Sequence, residues 1–228
     1  IINVNTAFDI GALTIGGGEG AGTVTLNFKN GFTTNGVSGD VSVGAGGVLT
    51  HEAATANAKN YRLNLSCNNL SVLDGGKIHA DAKSDGAVTT DTYGGCGGLY
   101  GGGICYGSIR EPNSLGGKNT YSGGGAVGLF CRGTAFVDGT ISSIGKGGGS
   151  IDYYTGTGGS ILLKCTALSG GGTINATAGI AGNNAGGGGG RIALYASAAQ
   201  NFDAFTGDVK AYGTKLKSGA GTIYYECA

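Results

Sequence analysis

Proline is almost missing from this chain: Pro112 is the only one in 228 residues. With no strict three-residue glycine period either, that excludes a collagen helix despite 52 glycines. Neither sign of charge is in excess, with 14 basic and 14 acidic residues. The chain therefore carries no electrostatic footprint for nucleic acid or an anionic membrane. No apolar run approaches the roughly 18 residues that a membrane span requires. Methionine and tryptophan are absent, and His51 and His79 are the only histidines. Disorder, the plain reading of a glycine-rich composition, is countered by 40% hydrophobic residues gathered in recurrent short strands.

What is present is a repeated strand phrase, apolar at i and i+2 with Cys or Ala at i+4. Its copies are Leu63-Leu65-Cys67, Val127-Leu129-Cys131, Ile161-Leu163-Cys165, Ile192-Leu194-Ala196 and Ile223-Tyr225-Cys227. Val24-Leu26-Phe28 reads as a sixth copy. Side chains alternate along a strand, so the three positions of each copy share one face. Successive starts lie 64, 34, 31 and 31 residues apart, and the first gap is close to two steps. A fixed period in this range marks stacked repeats. A second, shorter phrase follows each first one: Gly76 to Ala80, Gly139 to Ser142, Gly172 to Ala176 and Gly207 to Ala211. Glycine-rich returns lead back to the next copy.

The expected fold is all-β, a β-helix or solenoid-like stack with glycine-rich returns; the alternative is an antiparallel β-sandwich. Residues 1–60 hold looser strands and read as an N-terminal β section. Residues 61–228 read as the solenoid-like domain, interrupted by a Gly/Tyr-rich insertion at 84–125. Because the glycine tracts recur once per unit, they read as extended segments packed closely on each other or on the sheet, where a side chain would not fit.

The phrases Tyr61 to Leu65, Leu70 to Ile78, Gly187 to Tyr195 and Gly219 to Tyr224 resemble modules of large, Gly-rich repetitive bacterial surface proteins thought to form β-helices. The likeness covers roughly residues 40–228. It implies a secreted or cell-surface β-helical module and no catalytic residues. The ordered cysteines depart from the usual Cys-poor phrase.

Six cysteines suit an oxidising, extracellular setting. Cys67, Cys131, Cys165 and Cys227 share the inward slot and read first as small buried hydrophobes. Parallel neighbours about 4.8 Å apart fall within the Cα spacing a disulfide allows. Cys131 and Cys165, one period apart, are thus a candidate pair. Cys96 and Cys105 in the insertion are the most natural local pair, whereas Cys67 and Cys227 are harder to place within one chain. Two Gly-x-Cys-x-Gly matches, around Cys96 and Cys105, resemble a nucleophile elbow, but no helical period or histidine partner follows. Asp74, Asp81, Asp85 and Asp91 fit turns better than any calcium loop, and His79-Ala80-Asp81 lacks the further ligands of a zinc site. No catalytic, cofactor-binding or metal residues are therefore assigned. Sequons at Asn64, Asn69 and Asn175 match glycosylation acceptors.

The outward slots read Asn64, Gly128, Leu162, Ala193, Tyr224 and Ser66, Phe130, Lys164, Tyr195, Glu226. They form no threonine ladder, which argues against ice binding. An apolar share this large on an outer face marks a contact surface, for the glycine returns or for another subunit. The expectation is a non-enzymatic, secreted or cell-surface structural protein that assembles head to tail into a filament or layer. Ile1, Ile2, Val4, Ile223, Tyr225 and Cys227 are its subunit contacts. The start at Ile1-Ile2 reads as a processed protein or a fragment. The alternative is a monomeric adhesive or glycan-binding module; a polysaccharide-degrading enzyme would need a carboxylate-lined groove.

Overall fold

The computed structural model describes residues 1–18, 22–31, 33–54, 61–84, 107–118, 120–148, 155–180, 186–198, 202–214 and 218–227. These residues hold strands and no helix, so no helix is long and apolar enough to cross a membrane. The chain advances in seven coils. The first contains β1 (Ile2–Val4), β2 (Asp9–Ile10) and β3 (Leu13–Ile15), the second β4 (Val24–Phe28), β5 (Asn35–Val37) and β6 (Val41–Val43). The third has β7 (Gly47–His51), β8 (Leu63–Cys67) and β9 (Leu70–Val72), the fourth β10 (Lys77–His79), β11 (Ala126–Cys131) and β12 (Ala135–Val137). The fifth has β13 (Thr140–Ser142), β14 (Ser160–Cys165) and β15 (Leu168–Ser169). The last two are β16 (Thr173–Asn175) with β17 (Arg191–Ala196), and β18 (Asp208–Lys210) with β19 (Thr222–Cys227).

Each coil adds a strand to each of three parallel sheets in turn. The first sheet is β1-β4-β7-β10-β13-β16-β18, the second β2-β5-β8-β11-β14-β17-β19, and the third β3-β6-β9-β12-β15. The result is an all-β, solenoid-like stack, and its parallel pairing sets the antiparallel sandwich aside.

Alternation builds the core. In the first sheet Ile2, Leu26, Leu49, Ile78, Ile141, Ile174 and Val209 stand opposite one another in register. In the second, Leu63, Leu65, Val127, Leu129, Ile161, Leu163, Ile192 and Leu194 are at most 1% exposed, as their common parity requires. Burying each such side chain stabilises the fold by about 1.5–3 kcal/mol before entropy. Ile223 departs from the expected ladder: it is 38% exposed, because β19 is the edge strand of its sheet and pairs on one side only among the described residues.

Four sequence expectations change. Val24-Leu26-Phe28 does not join the Cys-slot strands; β4 lies in the first sheet between β1 and β7, since alternation alone does not name a sheet. The 64-residue gap is one step rather than two, because β11 pairs directly with β8 and Cys131 faces Cys67. All the extra length sits in the connection from β10 to β11. The unit also has three strands, the third sheet having been missed where its strands are only two or three residues long. Finally, the strands of residues 1–60 belong to the same sheets, with β7 hydrogen-bonded to both β4 and β10.

Glycines stand in columns at two corners. Before the second-sheet strands, a Cβ on Gly190 would lie 2.2 Å from the Gly159 carbonyl oxygen, and one on Gly221 2.0 Å from that of Gly190. The N–H groups of Gly125, Gly159, Gly190 and Gly221 donate to the carbonyls of Ala80, Ser143, Ala176 and Ala211. Among the described residues, the ends of the returns are thus backbone laid closely on backbone.

Candidate functional site

The second sheet's outer face carries the apolar outward slots, and the chain itself covers much of it. Residues 110–117, part of the insertion, lie across β8, β11, β14 and β17. Arg62 Nε donates to the Asn113 carbonyl, Ser160 Oγ to that of Ser114 (2.6 Å), and Tyr195 OH to that of Arg110 (2.8 Å). Leu115 is 4% exposed and packs with Ala54 and Ala126, while Leu162 and Ala193 are buried beneath. Lys164 pairs with Glu111 at 2.6 Å and sits 4.8 Å from the Tyr195 ring. Among the described residues this strap is the part of the chain that covers the face.

The first sheet's outer face is polar. Its outward positions in coils one to four line a groove of about 680 Å³, with Asn3, Asn27, Glu52, Lys29, Lys77 and His79 among its walls. Asn27 Nδ2 donates to Asn3 Oδ1 (3.0 Å) and Glu52 Oε2 (2.7 Å), and Lys29 reaches Glu52 at 3.1 Å. The Asn27 bond, then Lys29, holds the Glu52 carboxyl below its usual range. His79 lies 3.8 Å from Asp81; burial lowers its pKa, and Asp81 opposes that shift. Burial likewise lowers the Lys83 pKa against the pull of Glu52 and Asp81. Asn27 Oδ1 and His79 Nδ1 are buried without a hydrogen-bond partner. The groove thus offers donors and acceptors to a polar ligand.

His51 is a different case. It is fully buried, its Nδ1 lies 2.7 Å from the Glu52 carbonyl, and its Nε2 accepts from Ala126 N–H at 3.1 Å. Both ring nitrogens are engaged by backbone, which fixes a neutral tautomer with the proton on Nδ1, and burial pushes its pKa down to about 3. This side chain ties β7 to the start of β11.

Among the cysteines, Cys96 and Cys105 lie outside the described residues. Cys131 and Cys165 are buried thiols, as is Cys67, and Cys227 is exposed. The sulfur contact runs between Cys67 and Cys131, at 3.6 Å. Cys67, which the two-step reading of the gap left without a neighbour, is the Cα partner of Cys131. Cys165 directs its thiol to the Tyr195 carbonyl at 3.5 Å. Of the aspartates, Asp81 accepts from Ser142 Oγ and Ile144 N–H at a corner, while Asp85 and Asp91 lie outside the described residues. No cluster of three or more metal-ligand side chains occurs among the described residues.

The expected contact residues gather at the two ends of the stack. Ile1 is 90% and Ile2 59% exposed, and Val4 is half-buried against the core. At the other end Tyr225 is 50% exposed, edge-on to Phe202, and Cys227 is exposed in the last strand. Of ten exposed large hydrophobic residues described, six lie in the end coils, Ile1, Ile2 and Ile10 at one and Tyr212, Ile223 and Tyr225 at the other, with Val24 in the second coil. The sequence missed Ile10 and Tyr212, in or just after an edge strand, and Val24, which has no partner on β1.

No family model, curated protein or solved structure matches this chain.

Proposed function

We propose that this chain is a non-enzymatic extracellular structural protein, a β-helix that assembles head to tail into a filament or layer. The observation that carries the reading is the concentration of exposed apolar side chains at the two ends of the stack, beside strand edges that have no hydrogen-bonded neighbour among the described residues. Such edges template further pairing. Register supports the reading. Ile2 continues the column that finishes at Val209. Ile10 continues, through Val37, the column of Cys67, Cys131 and Cys165. A second copy stacked on the last coil would set its Ile2 on Val209, with an apolar layer extended across the joint. The contact is heterologous and yields an open polymer when its rotation does not close. Resemblance to Gly-rich surface proteins and the cysteine count support the secreted or surface location.

The test uses one variant blocked at each end, Ile2→Lys and Ile223→Lys, in sedimentation velocity. The unaltered chain forms large species, each variant alone does not, and an equimolar mixture gives dimers and nothing larger, since one sound end of each remains. A chain that stays monomeric at high concentration, or variants that polymerise unchanged, would sink the proposal.

A second reading, a glycan-binding or adhesive module, is favoured by the polar groove of the first sheet. Its test is titration with neutral and acidic oligosaccharides against the chain and a Lys77→Ala/His79→Ala variant. Binding to the former alone would favour it.

A further inference from the structure

We infer that Cys67 and Cys131 are a redox-active thiol pair, which a small-molecule disulfide closes into a covalent bridge between the third and fourth coils. The two residues are Cα partners on adjacent parallel strands, and their sulfur atoms lie 3.6 Å apart. Adjacent parallel strands about 4.8 Å apart fall inside the Cα range a disulfide tolerates. A bond of about 2.05 Å then needs each sulfur to move by roughly 0.8 Å, within reach of a small side-chain rotation. Cys165, the next thiol of the column, is turned to the Tyr195 carbonyl and does not share this contact. Entry is from the side of Cys131: a surface pocket of about 250 Å³ is lined by Cys131, Cys165, Arg132 and Tyr195. Cys67, 1% exposed, reacts only with what its neighbour has already bound.

The chemistry is two thiol–disulfide exchanges. Cys131 loses its proton and attacks one sulfur of the small disulfide, whose S–S bond breaks. The departing thiolate takes up a proton and leaves as the first small thiol. Cys67 then loses its proton and attacks the Cys131 sulfur of the mixed disulfide, forming the protein bridge and expelling the second small thiol. Two cysteine thiols are oxidised by two electrons in total, and one small disulfide is reduced to two thiols. The hydrogen-bond contact with Cys67, and then burial, raise the Cys131 pKa, so exchange is slow at neutral pH and quickens as the pH rises. The bridge spans the longest connection in the stack, the one that carries the strap and the 84–125 insertion. Oxidation thus fastens the coil that holds the long insertion to the coil before it.

Trypsin tests the pairing directly, because Cys67, Cys131 and Cys165 fall in separate peptides, 63–77, 119–132 and 165–191. The full chain is incubated with oxidised glutathione at pH 8, its remaining thiols are alkylated, and the peptides are mapped by mass spectrometry without reduction. The expected product joins 63–77 to 119–132 and has lost two hydrogens. Cys165→Ala leaves that product unchanged, and Cys67→Ser stops the reaction at glutathione on Cys131. A bridge from 119–132 to 165–191, or complete alkylation of Cys67 and Cys131 after prolonged incubation, would overturn the inference.

Discussion

Replacing Gly190 by alanine probes the close stacking of the returns at a site with no side chain to absorb the change. An added Cβ would meet the Gly159 carbonyl oxygen at 2.2 Å, the Gly158 carbonyl carbon at 2.7 Å and the Gly159 nitrogen at 2.8 Å. Carbon in ordinary contact needs roughly 3.5 Å, so the two returns must part by about 1 Å. That shift strains the bonds from Gly190 N–H to Ala176 (2.7 Å) and from Arg191 N–H to Gly159 (2.9 Å). Losing both costs about 1–3 kcal/mol, and overpacking adds about 1–3 kcal/mol, giving roughly 2–6 kcal/mol in all. The control is Gly18→Ala, where an added Cβ meets nothing within 4 Å. The same change there should stabilise slightly, by about 0.4–1 kcal/mol, through the unfolded chain. Urea unfolding followed by circular dichroism measures both. Equal midpoints for the two variants would refute the close-packed returns and leave them as loose loops.

Other predictions follow from the core. Leu129→Ala, in the middle of the second-sheet ladder at 1% exposure, should lower unfolding free energy by about 2–5 kcal/mol. Leu73→Ala, 41% exposed, should change it by about 0.5 kcal/mol or less in the same urea titration. For His51 the folded pKa of about 3 lies below the ordinary 6.5, so between these values the unfolded chain binds the extra proton. Its contribution is complete above pH 6.5 and falls as the pH drops toward 3, by about 2–3 kcal/mol between pH 7 and pH 4.5. Glu52 and Asp40, both held below their usual range, weaken the fold in the same acid direction. The diagnostic is therefore the difference in slope: His51→Gln should flatten stability against pH, and an unchanged slope would count against a buried neutral imidazole.

The parallel stack was legible because one inward face repeats the same residue classes. Leu63-Leu65-Cys67 and Ile161-Leu163-Cys165 declare both period and parity without reference to any neighbour. What alternation does not carry is sheet membership. Val24-Leu26-Phe28 has the right pattern, and in its coil the first-sheet strand happens to be as long as a second-sheet strand elsewhere. Third-sheet strands such as Leu168–Ser169 are too short for alternation to show. The interrupted period between Cys67 and Cys131 hid a direct pairing, since counting residues cannot tell a skipped coil from a long connection. The strap was invisible for the same reason. Nothing in Arg110 to Gly117 announces its destination, although Leu162, Phe130 and Tyr195 on the outward slots signalled that something must cover them. The polar groove needs four coils brought into register, with Asn3, Asn27 and His79 far apart along the chain.

The central claim is that the chain stacks on copies of itself by continuing its own coils. Seven strands in the first sheet at about 4.8 Å per coil set an axial repeat of about 34 Å per subunit. Electron microscopy of assembled material with layer-line analysis measures this. The account predicts filaments with a 4.8 Å layer line from the strands and a subunit repeat near 34 Å along the same axis. Material without filaments, or filaments whose strands run along the axis instead of across it, would contradict it.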